Sequence, residues 1–157
     1  MAVDLTTLPA RQGARPTTTG LEIPHDQLDQ FSPPGIRAQL VVRAQALPGV
    51  FTSASQVSEP SSLALRLKQH NRAFEAFLHP SVDEFGHIHR SGFMHLTVPR
   101  STLAALTELG WTEPHPISLR AEFPDTIVML YAPRDAMELE VAATVVQASY
   151  EQAIAVP

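Results

Sequence analysis

Apolar residues recur at helical spacing near both ends of the chain and alternate with polar ones between them. From Ser32, a candidate cap, with Pro33 at the first helical position, Ile36, Leu40, Val41, Ala44 and Leu47 fall on one face. Leu47-Pro48-Gly49 ends that helix. At the other end, Leu139, Ala142, Ala143, Val146, Tyr150 and Ala153 mark a helix that Asp135 and Glu138 open as a capping box. A shorter helix, capped by Ser101, carries Leu103, Leu106 and Leu109 and stops at Gly110. Strands are expected at residues 50–53, in LALRL (63–67), at residues 73–78 and in TIVMLY (126–131), which Pro133 closes.

The most informative stretch is a hairpin. EFGHIH (84–89) and FMHLTV (93–98) both alternate, and Arg90-Ser91-Gly92 between them is a three-residue loop containing glycine. This loop sets His89 against Phe93, His87 against His95 and Phe85 against Thr97. His87, His89 and His95 then share one face, and Ile88, Met94, Leu96 and Val98 share the other. The aliphatic face belongs to the core, so the histidines look onto solvent or a cavity. Trp111-Thr112-Glu113-Pro114-His115-Pro116 reads as a rigid loop that presents an aromatic ring and a fourth histidine.

Residues 1–30 have no apolar period and are punctuated by Gly and Pro, as in LPARQGARPTTTG, so they are expected to form an arm without regular structure. Whether that arm packs on the rest of the chain is open. Residues 31–157 are expected to form a single domain of the α+β class. Its sheet is largely antiparallel, with the histidine-bearing hairpin at the centre, packed against N- and C-terminal helices.

Composition narrows the chemistry. The chain has no cysteine, which removes disulfides, thiolate metal sites and cysteine nucleophiles. With 11 basic against 16 acidic residues it lacks the footprint of a nucleic-acid binder. No stretch reaches the roughly 20 apolar residues of a membrane span, and MAVDLTTLPARQ lacks the basic and apolar regions of a secretion signal. A cytoplasmic protein, monomeric or homodimeric, with a small-molecule partner is the expectation. Dinucleotide, P-loop, GxSxG and HExxH signatures are all missing.

Four of the seven histidines lie between His87 and His115. Imidazole exchanges protons near neutrality and is the usual ligand of transition metals, and a His-X-His pair on a strand turns both rings to one side. His87, His89, His95 and His115 are therefore the candidate catalytic residues, with Glu84 placed to orient an imidazole. Tyr131 and Arg134, in YAPR, offer a phenol and a guanidinium to an acidic or phenolic ligand. Trp111 is a core anchor or a pocket wall. His25, His70 and His79 sit in loop-like sequence and receive no role. Two other uses of the same histidines stay open: a metal-dependent enzyme with His87, His89, His95 and His115 as ligands, and a binding module without catalysis.

EFGHIH, FMHL, GWTEPHP, MLYAPRD and VVQASY, in this order and spacing, resemble the fungal bioluminescence luciferase family, whose fungal member oxidises 3-hydroxyhispidin. LPARQGARPTTT extends the resemblance into the arm, and the loop between the two histidine strands is two residues shorter here. The resemblance implies an oxygenase that acts on an enolic hydroxypyrone without an organic cofactor, with O2 as co-substrate. In that reaction His87 or His89 is the base, and Tyr131 and Arg134 hold the anion.

Overall fold

The structure, a computed structural model, describes residues 3–156. Its helices are α1 (Pro34–Gln45), α2 (Leu103–Glu108) and α3 (Ala136–Ile154). Its strands are β1 (Val50–Ala54), β2 (Leu63–Leu67), β3 (Glu84–Ile88), β4 (Met94–Thr97), β5 (Thr112–Pro114) and β6 (Ile127–Leu130). The six strands form one sheet in the order β1-β2-β3-β4-β6-β5, and every neighbouring pair is antiparallel. The hairpin thus lies at the centre of an α+β fold. The arm places a one-turn helix, Leu5–Thr7, beside α2 and α3.

The hairpin register is the one the alternation implies. His87 pairs with His95, Ile88 with Met94, and the His89 amide donates to the Phe93 carbonyl at 2.8 Å. Ile88, Met94, Leu96 and Val98 are buried with Leu65, Leu67, Val128 and Leu130. Leu40 and Ala44 of α1 and Leu139, Ala142, Val146 and Tyr150 of α3 complete that core. On α3 the buried set also takes in Val141 and Val145, while Ala143 is only half-buried. Gly92 closes the loop at φ +102°, and a side chain there would run into Ser32.

Strict alternation fails at one point. Leu65 pairs with Gly86, but the next residue, Arg66, pairs with Glu84, so β3 spends one extra residue there. That residue is Phe85. A bulge of this kind re-aims the side chains on either side of it. Phe85 turns into the core beside Tyr150 instead of standing opposite Thr97 on the histidine face, and Glu84 joins the histidine face. Next to the bulge, Gly86 lies so close to β4 that a Cβ would sit 2.8 Å from Leu96 Cβ.

Several local expectations are corrected. Ser32 does not cap α1, which begins after Pro33 without a side-chain cap. The Ser32 hydroxyl instead donates to the Pro133 carbonyl at 2.5 Å, tying the start of the helix to the end of β6. Residues 73–78 form no strand of the sheet. A 3-10 turn, Phe74–Ala76, takes their place, and the hydroxyls of Thr126 and Thr97 donate to the Glu75 and Ala76 carbonyls. Ser101 lies within a 3-10 turn, Arg100–Thr102, that leads into α2. Residues 112–114 are an edge strand rather than a loop. The capping box forms by half: Asp135 accepts from the Glu138 amide, while the Glu138 carboxylate reaches past it to the Arg134 amide.

The arm packs on the domain. Trp111 Nε1 donates to the Pro9 carbonyl at 2.7 Å, the Arg11 amide donates to the Leu109 carbonyl at 2.8 Å, and Arg15 donates to the Thr112 carbonyl. Thr17 to Leu28 then doubles back through a Thr18–Gln27 bridge, and the Gln27 side chain accepts from the Ala132 amide. This turn of chain lies over the histidine face of the sheet. Among the described residues, no helix is long and apolar enough to cross a membrane.

Candidate functional site

One row of cross-strand partners places most of the site. Ala64, His87, His95, Met129 and Glu113 stand side by side on β2, β3, β4, β6 and β5, on the face away from α1 and α3. His89 is two residues beyond His87 on the same face. His115 follows β5, where its amide donates to the Ile127 carbonyl. The arm delivers His25, whose ring stacks on His95 with centroids 5.1 Å apart and planes 15° from parallel.

The rings form a connected cluster. His95 Nδ1 lies 3.1 Å from Nε2 of His87 and 3.1 Å from Nε2 of His89, and His95 Nε2 lies 3.1 Å from Nδ1 of His25. Carboxylates stand behind them. Glu84 Oε2 accepts from His87 Nδ1 at 2.7 Å and is held by the Ser55 hydroxyl at 2.8 Å. Glu113 Oε2 accepts from His25 Nε2 at 2.9 Å, while its other oxygen accepts from the Tyr131 hydroxyl at 2.9 Å. His89 Nδ1 faces Glu59 Oε1 and the Ser62 hydroxyl, each at 3.3 Å. Phe93 stacks on His89 with centroids 4.0 Å apart.

Burial sets the charge state of these rings. His89 is pushed down to about 3 by desolvation, aided by its histidine neighbours, and His115 falls to about 3 for the same reasons. His95, more deeply buried, lies well below the usual histidine range. All three are neutral at pH 7. Burial raises Glu113, but hydrogen bonds from His25, Tyr131 and Thr18 outweigh it and leave its pKa lowered. His115 Nδ1 accepts from the Ile117 amide at 3.0 Å, so the proton of the neutral ring sits on Nε2.

The cluster forms the polar floor of a cavity of about 240 Å³. Its walls are largely apolar: Ile23 and Pro24 from the arm, Val57, Leu78, Ile117 and Phe123. Asp26, Ser58, Glu59 and His79 stand at the same cavity. The sequence-derived set therefore divides. His87, His89, His95 and His115 converge on one cavity, with Glu84 behind His87.

Trp111, Tyr131 and Arg134 are not among the residues that line this cavity. Trp111 is a core residue that anchors the arm. Tyr131 is buried and reaches the cluster only through Glu113. Arg134 pairs with Glu138 and donates to Gln30 and to the Gln12 carbonyl. His25 and Glu113 escaped the sequence reading. His25 sits in a segment without a period, whereas Glu113 on β5 and His115 just after it, two residues apart, carried a signal in their spacing.

Residues 82–149 match the family model described as Luciferase domain. The match runs from just before β3 into α3 and contains Glu84, His87, His89, His95, Glu113 and His115, so the luciferase-family resemblance stands over that stretch. His25 and the arm lie outside it. Neither the curated proteins nor the solved structures compared with the chain include a match.

Proposed function

Starting from the luciferase domain over residues 82–149, we propose that this protein is an oxygenase for a flat enolic or phenolic small molecule such as a 3-hydroxy-2-pyrone, with O2 as co-substrate. The observation that carries this reading is a floor of buried, neutral imidazoles beneath an otherwise apolar cavity. Apolar walls suit a planar ring. The floor, backed by Glu84, Glu59 and Glu113, is rich in lone pairs and draws a neutral ligand that carries an acidic hydroxyl. His115 takes the part first assigned to Tyr131 and Arg134, because its Nε2–H is a donor for the oxygen that becomes negative.

The hydroxyl proton passes to the histidine–carboxylate floor, where Glu84 backs His87 and Glu59 backs His89, and an enolate is left. Its electrons form the new carbon–oxygen bond to dioxygen, which is reduced to a peroxide in the same step. The test is incubation of the purified protein with a 3-hydroxy-2-pyrone in air, following oxygen uptake, absorbance and emitted light. Uptake that disappears in His87→Ala and His89→Ala supports the oxygenase. Tight binding of the pyrone without oxygen uptake would replace it with a binding module.

A further inference from the structure

Proton positions in the histidine cluster follow from its rim inwards. A carboxylate accepts, so Nδ1 of His87 and Nε2 of His25 turn outwards to Glu84 and Glu113, while His89 Nδ1 turns outwards to Glu59 and the Ser62 hydroxyl. His25 Nδ1 is then a lone pair, and His95 must offer it Nε2–H. The nitrogens left facing inwards are then Nε2 of His87, Nε2 of His89 and Nδ1 of His95.

Those three atoms face one another. His95 Nδ1 is 3.1 Å from each Nε2, and all three lie within 4.8 Å of one another. Three converging lone pairs repel unless a positive charge sits among them. A single proton bridges one pair of nitrogens and leaves the third facing them, whereas a metal ion accepts all three. We infer that His87, His89 and His95 hold one divalent first-row transition-metal ion, with a further coordination position open to the cavity.

The spacing suits such an ion. Metal–nitrogen bonds of about 2.0–2.1 Å in a tetrahedron set the nitrogens about 3.3 Å apart. Three imidazoles select zinc, copper, iron or nickel over magnesium and calcium. The outward partners are those that hold ligating histidines in place: Glu84 on His87, Glu59 and Ser62 on His89, and His25 on His95. The second grouping, His25, His95 and His115, does not present three lone pairs. In it His95 Nε2 already donates to His25, and His115 Nδ1 already accepts from the Ile117 amide.

This inference goes beyond the proposed reaction and does not rest on it, since its test needs no substrate. Protein carrying no His-tag is stripped with a chelator, dialysed, and titrated with Co2+ or Zn2+, following metal content and the visible bands of tetrahedral Co2+. One ion per chain is expected. Stoichiometric binding should vanish in His87→Ala, His89→Ala and His95→Ala, and persist in His115→Ala. Glu84→Gln, which keeps the size of the buried side chain, should weaken binding about 10- to 100-fold. Absence of stoichiometric binding by the wild-type protein, or binding unchanged in the three histidine variants, overturns the assignment. Circular dichroism identifies variants that fail to fold, and for these Glu84→Gln decides. Oxygen uptake by the stripped protein is scored separately, so either proposal can fail alone.

Discussion

The Glu84 carboxylate meets His87 Nδ1 at 2.7 Å although the two residues are three apart on one strand. Regular pleating sends side chains an odd number of residues apart to opposite faces. The pair exists because Phe85 is bulged out of the ladder, which sets the buried carboxylate beside the ring it orients. If Glu84 acts through His87, Glu84→Gln should lower turnover of a hydroxypyrone about 10- to 100-fold while Tm changes little. An equal fall in Tm and activity would mark Glu84 as structural only.

Phe85 itself is fully buried in the core. Phe85→Ala should cost about 3–5 kcal/mol, read as a lower urea midpoint. Urea unfolding with an unchanged midpoint would mean that the bulge does not depend on its aromatic anchor.

Gly86 is the second requirement of the bulge. Gly86→Ala places a methyl group 2.8 Å from Leu96 Cβ, a contact with the core of a neighbouring strand that cannot simply swing away. The expected loss is about 1–3 kcal/mol, seen by thermal or urea denaturation. A neutral substitution would show that β3 and β4 can part locally.

His115→Phe keeps a ring in the cavity wall and removes the Nε2–H donor. If that donor stabilises the developing anion, kcat should fall about 10²- to 10³-fold, with metal content unchanged. A change in KM alone would reduce His115 to a contact residue.

Trp111→Phe removes the hydrogen bond to the Pro9 carbonyl but keeps the core ring. The loss is expected to be about 1 kcal/mol. It should fall on the arm, so trypsin should cut faster after Arg11 while the sheet stays intact. Cleavage at the wild-type rate would show that the carbonyl contact does not hold the arm down.

Much of this architecture can be read from local pattern. The pairing of His87 with His95 follows from alternation and a three-residue loop, and α3 follows from its apolar spacing and Asp135. What cannot be read depends on partners distant in the chain. Ser32 has a good capping side chain, yet the Pro133 carbonyl, 101 residues away, takes its hydroxyl. Residues 73–78 look like a strand but form a 3-10 turn whose Glu75 and Ala76 carbonyls accept from Thr126 and Thr97, partners 51 and 21 residues away. A bulge leaves the alternation of β3 outwardly ordinary, so only the ladder with β2 reveals that Glu84 and Phe85 have exchanged faces. His25 is invisible for a similar reason, because its position is set by the packing of the arm.

The arm supplies Ile23, Pro24, His25 and Asp26 to the cavity, while the sheet and its strand ends supply His87, His89, His95 and His115. The site is thus assembled from two separable inheritances, a rigid floor fixed by strand register and a roof made of a loop pinned at its ends. Exchange of residues 18–27 among relatives would reshape the space above the histidines and leave the sheet's histidines in place. Selectivity for one ring system over another can drift by this route faster than the chemistry beneath it.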